Sequence, residues 1–182
     1  MMQSSLLPIT YISDAAVDEA LDLELRALLS LSFTGAPDSV FEHRRYFNEP
    51  PAHRWIVRGN QGILAAHLAI HEKTFILDGE EIRFGGVSEV CVRDEFRGQK
   101  LVKQLLAEAH RWLGQHNYPF AALFGKPIYY GSSGYMAVDN VFQDSVDEQG
   151  APIRKRAEGF LVAQLGARLW PDEDVFLPGQ FF

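Results

Sequence analysis

The sequence predicts an α/β (α+β) protein built on a mixed sheet. Three observations lead there. Two helical stretches open the chain, a meander of four extended segments follows, and beyond it strands and helices alternate. With 182 residues the chain is long enough to bury its own core and reads as one domain, 1–182. Its core is placed at about 5–140 and a C-terminal strand and tail at about 141–182.

Leu7 to Ile12 reads as a first strand, and Asp14 as the N-cap of a helix on which Val17, Leu21, Leu25 and Leu28 recur near the helical period. That helix is expected to end near Leu31. Asp38 can cap a second short helix, Ser39 to Phe47, which Pro50-Pro51 stops. His53 to Arg58 alternates as a strand, and Gly59-Asn60 with Gly62 makes a turn. Ile63 to Leu77 is one long strand, Asp78-Gly79 a hairpin signal, and Glu81 to Val92 the return strand, with Gly85-Gly86 marking a bend or close approach. From Arg97 to Gln115 a single apolar stripe predicts a helix. Pro119 to Phe124 is a strand, and Pro127 opens a short helix to Ser133 with Gly134 past its end. Phe142 to Ile153 is polar and reads as a hairpin loop, Phe160 to Leu165 as a late strand, and Trp170 to Phe182 as an irregular tail. No internal repeat and no dividing linker is visible.

Charge and composition narrow the function. Seventeen Lys and Arg against 24 Asp and Glu leave a net charge of −7, which disfavours a nucleic-acid partner and suits a cationic one. Cys91 is the single cysteine, so an internal disulfide is excluded, and the six histidines show no metal spacing. His67 and His71, four apart on a strand, share a face but lack a third ligand. Neither a basic, apolar leader in Met1 to Asp14 nor an apolar run of membrane-spanning length is present, and the expected location is cytoplasmic.

Val87-Ser88-Glu89-Val90-Cys91-Val92 leads through Arg93-Asp94-Glu95-Phe96 into Arg97-Gly98-Gln99-Lys100-Leu101-Val102 at the start of an amphipathic helix. Unpaired N–H groups and the positive end of a helix dipole suit a phosphate there, and Arg97 and Lys100 add charge. The plainer reading is a solvated strand-to-helix turn.

This segment resembles motif A of the GNAT superfamily of N-acetyltransferases, whose loop signature is Arg or Gln, two residues, Gly, one residue, then Gly or Ala. With Arg97 first, Lys100 and Val102 stand where the signature has Gly and Gly or Ala. The run Val92 to Leu106 is similar to the loop of aminoglycoside 2′-N-acetyltransferases, and a looser likeness runs from Gly62-Ile63-Leu64-Ala65-Ala66-His67 to Gly134-Tyr135. Tyr130-Gly131-Ser132-Ser133-Gly134-Tyr135 resembles motif B, in which a Tyr precedes a Gly-aromatic pair.

The resemblance implies the GNAT fold, a mixed, mostly antiparallel splayed sheet with helices on both faces, with acetyl-coenzyme A (acetyl-CoA) as co-substrate, no metal, and direct acetyl transfer to a primary amine. It implies that Arg97, Gly98, Gln99, Lys100, Leu101 and Val102 hold the pyrophosphate, that backbone N–H groups of Val90, Cys91 and Val92 bind the pantetheine arm and polarise the thioester carbonyl, and that Tyr130 protonates the departing thiolate. Tyr129 is the alternative acid. Glu89 is the candidate base or amine anchor, because an ammonium must lose a proton before it can attack. The likeness aligns the aminoglycoside enzymes' strand glutamate with Ser88, one residue earlier, and a bulge would reconcile the two. The bland alternative for Glu89 is a carboxylate paired with a buried Arg or Lys. An acyl-cysteine route through Cys91 is disfavoured, since a buried strand cysteine is usually inert.

The expected acceptor is a small, cationic amine, an aminoglycoside or amino sugar, met by Glu89, Asp38, Asp174 and Phe182. The acidic and aromatic run Trp170 to Phe176, with Phe181 and Phe182, suits such a ligand by ion pairing and stacking. Other small amines, a protein amino group, and a coenzyme A-binding module without catalysis are the alternatives. A homodimer is left open.

Overall fold

The computed structural model of the chain describes residues 7–179 and 182. Phe181 of the aromatic tail, and residues 1–6 of the segment read for a leader, lie outside them. The chain forms two compact units, one of residues up to Ile70 with Glu89–Ala109, the other of His71–Ser88 with His110–Phe182. The crossings between them fall inside β-strands and a helix.

In the first unit β1 (Ile9–Ser13), β2 (His53–Arg58) and the first half of β3 (Leu64–Leu77) form antiparallel ladders, Ile9 opposite Val57 and His53 opposite Ile70. Helix α1 (Glu19–Ser32) buries Leu21, Leu25, Leu28 and Leu29 with Phe41, Ile56, Leu64 and Cys91. Its cap is Asp18, whose carboxylate accepts the Leu21 N–H at 2.8 Å, and not Asp14. Asp14 lies in a separate 3-10 turn, Asp14–Ala16, and its carboxylate is committed to two arginines. The helix expected over Ser39 to Phe47 is a 3-10 segment, Ala36–Glu42, on which Asp38 caps the Gly35 N–H.

β4 (Glu80–Val92) follows a turn in which Asp78 (φ 50°) and Gly79 (φ 81°) are both left-handed, as the hairpin signal requires. Helix α2 is Leu101–Gln115, four residues shorter at its start than the apolar stripe suggested. Gly98 (φ 78°) and Lys100 (φ 59°) are left-handed, a conformation a helix cannot contain, so Arg97–Lys100 is a loop ahead of the helix.

In the second unit the beginning of β4 pairs in parallel with β5 (Phe120–Phe124) over only three residue pairs, Phe84–Phe120, Gly85–Ala121 and Gly86–Ala122. The ladder ends at Gly86 although β5 runs on to Phe124, which is the expected splay. Beyond the short helix α3 (Pro127–Tyr130), β6 (Tyr135–Ala137) and β5 both pair antiparallel with β9 (Phe160–Gln164). The stretch read as a loop is instead a hairpin of β7 (Val141–Val146) and β8 (Pro152–Arg156). Every residue of β8 is exposed, so no apolar alternation announced it. Asp147 closes the turn by accepting the Gln149 and Ala151 N–H groups. The tail contains β10 (Val175–Leu177), parallel to β7, and Asn140 pins it, accepting from Trp170 Nε1 and donating to the Pro171 and Glu173 carbonyls. Trp170 and Phe182 pack on the cluster of Phe75, Phe84, Phe120 and Phe160. Among the described residues no helix is long and apolar enough to cross a membrane.

Gly85 is required by close approach. A Cβ there would stand 2.6 Å from the Leu113 side chain of α2. Gly85→Ala is therefore expected to cost roughly 1–3 kcal/mol, through overpacking. A urea denaturation series should show a lower midpoint at unchanged slope.

Candidate active site

Glu89 sits near the end of β4 with φ 53°, a left-handed residue in the middle of a strand. A non-glycine residue there carries a backbone cost of order 1 kcal/mol and kinks the strand. The kink supplies the irregularity that the one-residue offset between Ser88 and Glu89 called for. Ser88 accepts or donates a hydrogen bond with His71 Nε2 at 3.0 Å, whereas the Glu89 carboxylate meets Arg54 and the Phe47 N–H.

The Glu89 side chain is 5% exposed. Oε1 accepts the Phe47 N–H at 3.0 Å and Oε2 accepts Arg54 at 3.3 Å. Burial pushes its carboxyl up to about 7, against the pull of the Arg54 cation and the Phe47 N–H. The carboxylate is thus paired with a buried arginine, as the plainer sequence reading had it. Arg54, on β2, donates to Asp14 Oδ1 at 2.6 Å and to the Arg45 carbonyl at 2.9 Å. Arg45 in turn donates to Asp14 and Asp22. Burial alone would raise the Asp14 carboxyl, but hydrogen bonds from Arg45 and Arg54 hold it below the usual range.

His67 lies fully buried on β3, 2.9 Å from Arg54 through Nε2 and 2.9 Å from the Glu89 carbonyl through Nδ1. Desolvation and the Arg54 charge lower it to about 3, so it is neutral. Arg54 can only donate, so Nε2 accepts and the proton is on Nδ1. Cys91 faces the apolar cluster under α1, where burial pushes its thiol up to about 12 and leaves no thiolate for an acyl-cysteine route.

The loop ahead of α2 answers the missing glycines. Lys100, at a position where the signature has Gly, is left-handed, a conformation glycine adopts freely, and nothing lies within 4 Å of where a Cβ on Gly98 would stand. The first intrahelical bond is Gln104 N–H to the Lys100 carbonyl, so the amides of Leu101, Val102 and Lys103 precede it. No acidic residue occupies the first turn of α2. Arg97 pairs with Asp94 at 2.8 Å, both exposed. Phe96 anchors the loop from below, its ring so close that a Cβ on Gly59 would lie 2.2 Å away. These groups fit a diphosphate: backbone N–H donors ahead of the first helical bond, no acidic residue in the first turn of α2, and Lys100 and Lys103 beside them.

In the second unit Tyr130 ends α3 with its ring against Gly125, where a Cβ would stand 2.6 Å from Cε2. Burial raises its phenol, which keeps the proton on oxygen. Tyr129 is 70% exposed, so the two neighbours are distinguished by packing. Tyr130 also meets Tyr135 edge-on at 6.1 Å, and the Tyr135 hydroxyl lies 2.8 Å from His110 Nε2.

The remaining sequence-predicted residues are spread. Asp38 spends a carboxylate oxygen on its cap. Phe182 is partly buried, packed with Phe84, Phe124 and Phe160, and a Cβ on Gly86 would meet its ring at 2.6 Å. Asp174 is exposed and borders a surface cavity with Phe142, Arg154 and Phe176. Sequence reasoning missed Arg54, Asp14 and Arg45. The available signal was Arg54 on the face of β2 shared by Ile56, an inward position for a cation. Among the described residues no group of three His, Cys, Asp or Glu could hold a metal ion.

Residues 10–138 match the model of an acetyltransferase (GNAT) domain. Comparison with curated proteins finds no match. Among solved structures, the GNAT family N-acetyltransferase YhbS from Escherichia coli in complex with CoA is similar with a TM-score of 0.69 and 17% identity, over 99% of this chain and 94% of that one. A GNAT family acetyltransferase from Brucella melitensis in complex with acetyl-CoA gives 0.60 and 15%, over 93% and 96%. An acyl-CoA N-acyltransferase from Pseudomonas aeruginosa gives 0.59 and 17%, over 87% and 99%.

A carboxyl raised in the fold binds its proton more tightly there than in the unfolded chain, whose value is near 4.5. Its contribution is present below about 4.5 and is lost as pH rises through about 7. Glu89→Gln should therefore flatten the part of the stability profile that falls between these pH values, measured by denaturant midpoints at successive pH.

Proposed function

The chain belongs to the GNAT acetyltransferase family, and we propose that it transfers the acetyl group of acetyl-CoA directly to a primary amine of a small, cationic molecule. Acetyl-CoA supplies the activated thioester. The loop Arg97–Val102 and the first amides of α2 hold its diphosphate, the N–H groups of Val90, Cys91 and Val92 bind the pantetheine arm and polarise the carbonyl, and Lys100 contributes charge. Glu89, directly or through a water, takes the proton that the acceptor ammonium must lose. Tyr130 gives a proton to the departing thiolate.

The observation that carries this reading is the Glu89 carboxyl at about 7 in a buried, arginine-backed position. A general base works best when its pKa lies near the operating pH. An ordinary surface glutamate would be ionised but too weakly basic.

For the acceptor, an aminoglycoside or related amino sugar is the leading class. Its support is the net charge of −7, the exposed Asp174 beside Phe142 and Phe176, and the likeness of the Val92–Leu106 run to the aminoglycoside 2′ enzymes. Asp38, which caps the Gly35 N–H with one carboxylate oxygen, and Phe182, packed on the aromatic cluster, are further candidates for acceptor contact.

Thiol release from acetyl-CoA, measured across kanamycin-type, kasugamycin-type and polyamine acceptors, is the direct test. Turnover with the amino sugars supports the acceptor class, turnover with polyamines alone moves it, and acetyl-CoA binding without any turnover leaves a binding module. With an active acceptor, Glu89→Gln should reduce kcat by about 10²-fold or more and remove the acidic limb near pH 7. Tyr130→Phe should lower kcat with little change in acetyl-CoA affinity measured by calorimetry, and unchanged turnover would remove Tyr130 from the mechanism.

A further inference from the structure

A guanidinium with 0% exposure is an expensive occupant of a strand position. Leu or Met would fill the site at lower cost in desolvation. Arg54 nevertheless sits there, and its bonds are unequal. The shortest, 2.6 Å, goes to Asp14, and the longest, 3.3 Å, to Glu89.

We infer that Arg54 is a positioning residue for the Glu89 carboxylate, holding it at both ends, an inference that rests on Glu89 being the base. One end is direct: NH1 donates to Oε2. The other runs through His67. NH1 also donates to Nε2, which fixes the neutral Nδ1–H tautomer, and that N–H donates to the Glu89 carbonyl at 2.9 Å. The residue whose backbone is left-handed is thus the one whose carbonyl is clamped.

Asp14 sets how strongly the cation acts. The charged groups run in alternation, Asp22, Arg45, Asp14, Arg54, Glu89. Asp14 takes the nearest place on Arg54 and shares it with Arg45, so Glu89 receives a weak, distant contact in place of a full ion pair. A full pair would hold the carboxylate permanently ionised and make it a poor base. The groups facing Glu89 are Arg54 from β2, His67 from β3, Cys91 from its own strand, Asp14 after β1 and the Phe47 N–H. His67 is neutral and Cys91 keeps its proton, so Arg54 and Asp14 are the two charges that act on it.

The two charges pull in opposite directions, which separates positioning from mere structural support. Carbon-13 NMR of the Glu89 side-chain carboxyl in the full chain reads the effect without any substrate. Asp14→Asn should lower the Glu89 midpoint and Arg54→Met should raise it, each by about 1 unit. Shifts of the same sign, or midpoints that stay put, overturn the inference. Should Arg54→Met fail to fold, Asp14→Asn decides alone, since an unchanged or higher midpoint contradicts it. The pH–rate profile of the same variants keeps the two readings apart. An acidic limb that follows the NMR midpoints supports both, and a limb that stays while the midpoints move removes Glu89 as base without touching the hold of Arg54 on its carboxylate.

Discussion

A guanidinium removed from water must find an acceptor for nearly every N–H it carries, and in this chain the acceptors for Arg54 come from four separate stretches. Asp14 follows β1, the Arg45 carbonyl lies beyond the 3-10 segment, His67 is on β3 and Glu89 on β4. Satisfying one side chain therefore fixes the mutual placement of the pieces that surround the candidate base. The same requirement explains why α1 starts at Asp18: Asp14, the more obvious cap, is already the counter-charge of Arg45 and Arg54. Deleting one partner of such a network costs more than the network contributes, because the remaining charges stay buried.

Beside this polar knot the backbone around it is built from exceptions to regular geometry. Glu89 and Lys100 are left-handed without being glycine, and each marks a place where backbone groups must turn toward something other than a neighbouring strand or turn. The β4–β5 ladder stops at Gly86, before the kink, so the end of β4 is released from that partner just where the resemblance needs open N–H groups. Gly59 and Gly125 contribute by having no side chain, letting Phe96 and Tyr130 settle against the main chain.

Much of this was legible in the residues. The strands His53–Arg58 and Leu64–Leu77, the Asp78-Gly79 hairpin and the α2 stripe all follow from local patterning, since their apolar faces are buried as their periods suggest. Glu89 and Tyr130 were legible through motif spacing. What escaped has a common cause: it depends on partners distant in the chain. β8 holds its place by pairing with β7 and not by burying a face, so its composition looked like a loop. Arg54 reads as an ordinary alternating polar residue until Asp14, His67 and Glu89 are brought to it, 40, 13 and 35 residues away. The loop ahead of α2 departs from the signature in its letters, and Lys100, where the signature has Gly, nonetheless takes a left-handed conformation.

The chain passes between its two compact units inside β3, inside β4 and inside α2. On the ribosome this has a consequence for order of assembly. The first unit needs Glu89–Ala109, so the nascent chain cannot close it until both long strands and most of α2 have emerged, with His71–Ser88 exposed in the meantime. That waiting segment includes Phe75, Ile82 and Phe84, which find their partners Phe120, Phe160 and Val175 only when nearly the whole chain has been made. A chain released before Val175 would lack one side of the cover over this apolar stretch.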